Sequence, residues 1–444
     1  MRIQLSDHFT YPKLLRFALS PIIMMVFTSI YGVVDGLFVS NFVGKVPFAA
    51  INLIMPFPMV LGGLGFMIGT GGSALVAKTL GEGDRENANG YFTMMVLFTC
   101  LVGGGVTVFG LWAMEPVARL LGATDAMLAN CVVYGRIVIA FTTAFMLQNV
   151  FQTFLSTAEK PKLGLAYTVA AGFTNMALDA LFIGGFRWGV AGAALATGIS
   201  QTVGGFLPLF YFLRPNDSLL RLVKTRLESR ILLKACANGS SELMSNISGS
   251  LVSMLYNFQL LHFAGEDGVA VYGVLMYVSF IFVAIFIGYT IAAAPVVGYH
   301  HGAGNHGELK NLLKKSVLLM FAGGILMMVA SWALARPLAA VFVGYDPELA
   351  GMTRHAFILF SFSFVFAGFN IFTSSFFTAL NNGAISAAIS FLRTLVFQIL
   401  CVLALPMLFG LDGIWWSIAV ADVFAFVISL GFLWANRKKY HYWS

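Results

Sequence analysis

The stretch LGEGDRENA (residues 80–88) decides how this chain folds, because it occurs twice in altered form. At an offset of 221 residues, HGAGNHGEL (301–309) puts Gly302 and Gly304 where Gly81 and Gly83 stand. Two more stretches follow in order: VAGAALA (190–196) falls on LDGIWWS (411–417), and FQTFLSTAEKP (151–161) on TSSFFTALNNG (373–383) after one residue of slippage. Each pairing alone is weak. Three of them in order at one spacing mark an internal duplication.

What is duplicated is a set of membrane spans. The 444 residues are 59% hydrophobic and 10% charged, with mean hydropathy +0.86, whereas soluble domains carry about 25% charged residues. Apolar windows of the length that crosses a bilayer fall near 14–40, 47–76, 91–113, 131–155, 163–186 and 190–213, then 230–262, 269–298, 312–334, 355–380, 383–409 and 413–436. The reading is an all-α polytopic membrane protein of twelve transmembrane helices, six to each copy. Six is even, so both copies enter the membrane the same way round, and a pseudo-two-fold axis along the membrane normal should relate them. The basic connection RPNDSLLRLVKTRLESRILLK (214–234) lies between the copies. The chain therefore divides into an N-lobe (1–213), a linker (214–229) and a C-lobe (230–444). No cleavable leader is read ahead of the first span, since Arg2, Asp7, Lys13 and Arg16 interrupt the opening residues.

The net charge of +7 could signal a nucleic-acid partner, but its distribution signals topology. Of 26 Lys and Arg, 19 fall on the face that holds both termini and six on the other, while Arg393 lies inside a span. Positive residues stay inside, so both termini are expected in the cytoplasm and the chain in the plasma (inner) membrane. Cys100, Cys131, Cys236 and Cys401 lie in or beside apolar runs without CxxC spacing, and read as packing residues. His300 and His301 read as members of a hydrated loop, since no carboxylate or cysteine completes a metal set.

Within the spans, FTNMALDALF (173–182) poses the functional question. A carboxylate at mid-bilayer costs roughly 2.5–3.5 kcal/mol on insertion scales, so Asp179 needs a compensating role. Asn175 stands one helical turn before it on the same face. Thr197 and Gln201 repeat that spacing on the sixth span, and Asp35 lies in YGVVDGLFVS of the first. Carboxylate, amide and hydroxyl oxygens are hard donors that suit H⁺ or Na⁺ better than a transition metal. Two acids held together in low dielectric resist carrying charge simultaneously, so such a pair can load and release a small cation. Glu242, amid Ser240, Ser241, Ser245 and Asn246, reads as a cavity-lining group or proton relay, as do Gln201 and Tyr134. Asp422 and Arg393 read as an interhelical ion pair. Phe154, Met244, Met254, Met276 and Phe280 are candidates to line a pocket for flat apolar cations.

With these residues in view, the chain resembles the multidrug and toxic compound extrusion (MATE) family, prokaryotic branch, over essentially its full length. The resemblance rests on YGVVDGLFVSNFVG with Asp35, LGEGDRENA, NMALD with Asn175 and Asp179, GVAGAALAT ending at Thr197, and the duplicated halves. It implies an antiporter of two six-helix lobes that exports organic cations in exchange for H⁺ or Na⁺, with a cation site at Asp35, Asn175, Asp179 and Thr197. Glu242 matches a glutamate of the branch that also uses C-lobe acids. The aspartate expected with it on the tenth span is absent, and FVFAGFNIFTSSFF (364–377) offers only Asn370. The expected partners are small organic molecules and membrane lipids, without nucleic acid, cofactor or enzymatic activity, and the expected state is a monomer. A lipid or lipid-linked oligosaccharide flippase of the same superfamily is the alternative, against which stands the acidic rather than cationic character of the buried singletons. An intramembrane aspartyl protease would need a GxGD setting that NMALDAL lacks.

Overall fold

The computed structural model describes residues 3–344 and 346–443. Arg2 and the Lys45 side chain, counted above on opposite faces, lie outside the described residues. Helices joined by short turns account for the architecture, and no strand occurs among the described residues. Lipid imposes this, because a segment in hydrocarbon must satisfy its own backbone N–H and C=O groups.

In order, the first six spans are Tyr11–Phe42, Val46–Gly81, Arg85–Leu120, the bent pair Asp125–Ala140 and Thr142–Thr157, Pro161–Gly185 and Gly189–Leu213. Ser229–Gly302 follows as 74 residues broken at Gly265 (φ 62°, ψ −149°), which makes it the seventh and eighth spans. Glycine takes that backbone conformation without a Cβ clash, so one residue turns the chain around. The last four are His306–Val343, the bent pair Pro347–Phe360 and Ser363–Ala379, Gly383–Phe409 and Leu411–Tyr440. These twelve spans form two six-helix lobes. The bends of 52° in the fourth span and 47° in the tenth are matched features of the two lobes.

The duplication is written in the backbone as well. Positive φ recurs at Gly44 and Gly265, Gly83 and Gly304, Glu159 and Asn381, and Gly189 and Gly410, each pair 221 or 222 residues apart. The third and ninth spans start alike: the Asp84 side chain accepts from the Asn87 N–H, and the Asn305 side chain from the Glu308 N–H, filling orphan donors at each helix start. The fifth and eleventh spans each pass through a π-helical stretch, Ala180–Gly185 and Leu392–Val396.

Both termini lie on one face, where His8 meets Glu308 at 2.6 Å and the rings of His306 and His441 are 4.9 Å apart. On this terminal face the lobes clasp each other. A Cβ on Gly81 would stand 1.9 Å from the Tyr299 carbonyl oxygen, and one on Gly302 2.0 Å from that of Lys78. Lys78 and Tyr299 are themselves repeat partners, so the contact is reciprocal and straddles the pseudo-two-fold axis. Gly71 and Gly239 likewise leave no room for a Cβ against the carbonyls of Ala235 and Met67. Residues 3–9 strap over the seam: the Leu5 N–H donates to Glu159 of the N-lobe at 2.8 Å, and the Phe9 N–H to Glu308 of the C-lobe at 2.9 Å.

Away from the terminal face the lobes part. The first span keeps a hydrogen bond from Ser29 Oγ to the Phe280 carbonyl (3.4 Å), and beyond it Gly32 and Gly36 have no neighbour within 4 Å of a Cβ position. The outer part of the first span is thus free of close neighbours at these two glycines.

Two sequence expectations are corrected here. His300 is 2% exposed and belongs to the eighth span, not to a hydrated loop, because the strap covers it with the fully buried Leu5 and Phe9. Phe154 is not a pocket residue. It is fully buried in the N-lobe core, where its ring centroid stands 4.9 Å from that of Phe92. Met254 and Phe280, by contrast, are each 64% exposed.

Candidate functional site

Inside the N-lobe lies a cavity of about 370 Å³ lined by the first, second, fourth, fifth and sixth spans. The sequence-predicted residues Asp35, Asn175, Thr197, Gln201 and Tyr134 all line it. Asp179 sits just behind, with no exposed surface, and the Asp35 side chain faces both Asp179 and Asn175. Four spans bring these groups together. The i, i+4 spacing of Asn175 and Asp179 stacks them on one face of the fifth span, and the first span delivers Asp35 from opposite. The fifth span leaves regular α-helix at Ala180, immediately after Asp179. A π-helical turn widens the helix and displaces its side chains, a device common at functional positions.

The oxygens of this cluster are left without partners. Asp35 Oδ1, Asn175 Oδ1, both carboxylate oxygens of Asp179 and Gln201 Oε1 are buried and receive no hydrogen bond. A buried polar atom without a partner costs free energy of order 1–3 kcal/mol, and two facing carboxylates cannot both hold charge in such a place without a cation. The orphan oxygens of Asp35, Asn175 and Asp179, which face one another, are what a proton or a hard monovalent cation would satisfy, and Gln201 lines the same cavity. Tyr134 is 2% exposed, reaches Thr197, and places its hydroxyl 3.5 Å from the Met55 sulfur, so it closes the wall beside the cluster.

Glu242 is not brought to this cavity. It is half-buried on the seventh span of the other lobe, where its backbone carbonyl accepts from the Asn246 side chain at 2.9 Å. The neighbouring Leu243 and Asn246 face Gly63 across the seam.

The structure also adds lining residues that the sequence reading missed. Gln148, Asn149 and Gln152 of the fourth span present a row of amides to the cavity, and Met25, Met55, Met59, Phe66 and Phe145 supply its apolar wall. The amides sit in LQNVFQT (147–153), whose i, i+4 glutamines carry the same stacking signal as Asn175 and Asp179. They carry no charge, which is why they did not stand out. Gly204 makes room for them, since a Cβ there would meet the Gln148 amide at 2.7 Å.

In the C-lobe the buried Asp422 is paired. Arg393 Nε donates to Asp422 Oδ1 at 2.8 Å, and the Asn370 side chain donates to the Asp422 backbone carbonyl at 2.9 Å. The ion pair read from the sequence is therefore present, and the lone tenth-span amide, Asn370, is part of its support.

Comparison with known proteins agrees with this architecture. The MatE family model matches twice, over residues 21–181 and 243–403. The multidrug export protein MepA of Staphylococcus saprophyticus is 23% identical over 430 residues, covering 97% of this chain and 94% of its own. A crystal structure of MATE in complex with MaL6 superimposes with a TM-score of 0.90 at 23% identity, covering 96% of each chain. An outward-facing multidrug resistance MATE transporter of the MOP superfamily does so with a TM-score of 0.90 at 23% identity, over 96% of this chain and 95% of that one. Two matches to one family model, one in each lobe and together spanning most of the sequence, make this chain a member of the MatE family, the multidrug and toxic compound extrusion transporters.

Proposed function

We propose that the protein is an antiporter that exports organic, cationic and amphipathic compounds across the plasma membrane, driven by inward movement of H⁺ or Na⁺. The observation that carries this reading is the set of orphan oxygens on Asp35, Asn175, Asp179 and Gln201 at an N-lobe cavity. The name of the relatives, multidrug export protein, supports an organic small-molecule substrate, and the distribution of basic residues supports cytoplasmic termini.

The mechanism follows from linkage. Substrate and coupling ion favour different conformations, so each shifts the population that the other needs. In the outward-open state an ion from outside loads Asp35 and Asp179, with Asn175 and Thr197 completing its oxygen shell, and substrate is released. The outer part of the first span carries Asp35 and has open space at Gly32 and Gly36, while Pro21 within it lacks a backbone N–H and offers a place to bend. Ion loading therefore reshapes the cavity wall that holds substrate.

The test is efflux of a fluorescent organic cation from proteoliposomes under separately imposed pH and Na⁺ gradients. Export driven by one gradient and lost in Asp35→Asn supports the reading. Export in Asp35→Asn and Asp179→Asn at the wild-type rate refutes it.

A further inference from the structure

A second cavity, about 550 Å³, lies on the terminal face between the start of the first span, the start of the fifth and the turn before it. Three cations line it: Arg16, Lys160 and Lys162. Lys160 is matched by Asp217 at 2.6 Å, and the Glu159 carboxylate is engaged by the strap through the Leu5 N–H. Arg16 and Lys162 come from different spans, are both exposed, and form no salt bridge among the described residues, although the carboxylates of Glu159 and Asp217 line the same cavity. Phe17, Leu163 and Ala166 form an apolar part of the remaining wall, and Ser20 and Tyr211 a polar part. Beside Arg16, Leu15 and Leu19 are 44% and 54% exposed on the lipid side.

The duplication supplies an internal control. At the repeat offset, Glu159, Lys160 and Pro161 correspond to Asn381, Asn382 and Gly383, and Arg16 and Phe17 to Ala237 and Asn238. In the C-lobe this place is shut. A Cβ on Gly383 would stand 2.4 Å from Asn238 Cα and 2.5 Å from the Ala237 carbonyl oxygen, and the Asn238 side chain donates to the Thr378 carbonyl at 2.9 Å. The fold thus needs neither the gap nor the charges. The N-lobe keeps both on the terminal face, next to the exposed Leu15 and Leu19.

We propose that this cavity is a binding site for the phosphate headgroup of an anionic phospholipid from the leaflet on the terminal face. Arg16 and Lys162 straddle the phosphate, and the acyl chains lie against Leu15 and Leu19. Guanidinium forks and ammonium groups are the donors that recognise phosphate, and bases at the membrane surface gain from anionic lipid. Because Glu159 precedes these bases and anchors the strap, an occupied site stiffens the turn that holds the terminal face closed.

Native mass spectrometry of the full chain, released from detergent with phosphatidylglycerol or phosphatidylcholine of matched chain length, tests the proposal. One phosphatidylglycerol is expected to be retained in preference to phosphatidylcholine, and Arg16→Gln with Lys162→Gln should weaken it about 30-fold. Lys438→Gln with Lys439→Gln removes two bases of the same face outside the cavity and should change nothing. Equal retention of the two lipids, undiminished retention in the Arg16/Lys162 variant, or binding of inorganic phosphate alone with no preference for the lipid would overturn it. All of these positions are exposed, so the variants fold as the parent does.

Discussion

The two lobes share a backbone plan but treat buried charge in opposite ways. In the N-lobe, Asp35 and Asp179 face each other with orphan oxygens and no basic partner among the described residues. In the C-lobe, Asp422 is held by Arg393 at 2.8 Å and backed by Asn370. Gln201 of the N-lobe and Asp422 of the C-lobe are repeat partners at an offset of 221, as are Asn149 and Asn370. At Asp422 the C-lobe thus carries its counter-ion covalently, as an arginine. The other is left to recruit a cation from solution. A lobe with a built-in cation is a fixed body, and a lobe that must borrow one can change with its supply.

The sharpest way to break this contrast is to neutralise each acid in turn. Asp35→Asn or Asp179→Asn should abolish ion-driven efflux, by about 100-fold or more, while leaving the melting temperature of the purified protein unchanged or higher, because an uncompensated carboxylate is removed. Asp422→Asn should do the reverse, lowering the melting temperature while efflux still responds to the gradient. Next in size is Arg393→Met, which strands Asp422 in the eleventh and twelfth spans. Breaking a buried pair from one side costs about 3–5 kcal/mol, to be read from detergent-solubilised unfolding. Arg393→Met combined with Asp422→Leu should recover most of that loss.

A third prediction concerns the seam that both lobes share. Gly81→Ala places a methyl 1.9 Å from the Tyr299 oxygen. Overpacking of about 1–3 kcal/mol should move the population roughly tenfold or more away from the state closed on the terminal face. Spin-label distances across that face would report it. Gly104→Ala, where a Cβ has nothing within 4 Å, should leave the distances as they are.

The smallest effect compares the matched helix starts before the third and ninth spans. The backbone N–H of Asn87, joined by its side chain, holds the Asp84 carboxyl below the ordinary aspartate range. Its cap is therefore complete above the unfolded-state value and is lost as pH falls through the lowered one. Asn305 makes the same cap with an amide that does not titrate. Protection of the Asn87 amide from exchange, relative to its intrinsic rate, should fall in acid, whereas protection of the Glu308 amide should depend less on the cap's own charge.

The sequence makes much of this legible, for reasons particular to lipid. Twelve apolar windows stand out because a span must be continuous and about 20 residues long, and Asp35 and Asp179 stand out because acids there are costly. Features made by neutral groups or by distant packing are harder to read. The bends at Phe141 and after Phe360 leave no proline or charge to mark them, whereas the turn at Gly265 falls in the gap between the apolar windows 230–262 and 269–298 and was legible. The amides of Gln148, Asn149 and Gln152 are hidden because an uncharged side chain breaks hydropathy only slightly. His300 was placed in water because its cover, Leu5 and Phe9, comes from a segment almost 300 residues away in the chain.

The reciprocal fit of Gly81 and Gly302 explains why the first signal of duplication survived where it did. Copies of an ancestral half are free to diverge wherever each serves only itself. Where they clasp one another about a shared axis, a larger side chain in either copy collides with its twin's main chain. Each half therefore polices the spelling of the other at that spot, and LGEGD and HGAGN still read alike when most of the surrounding text no longer does.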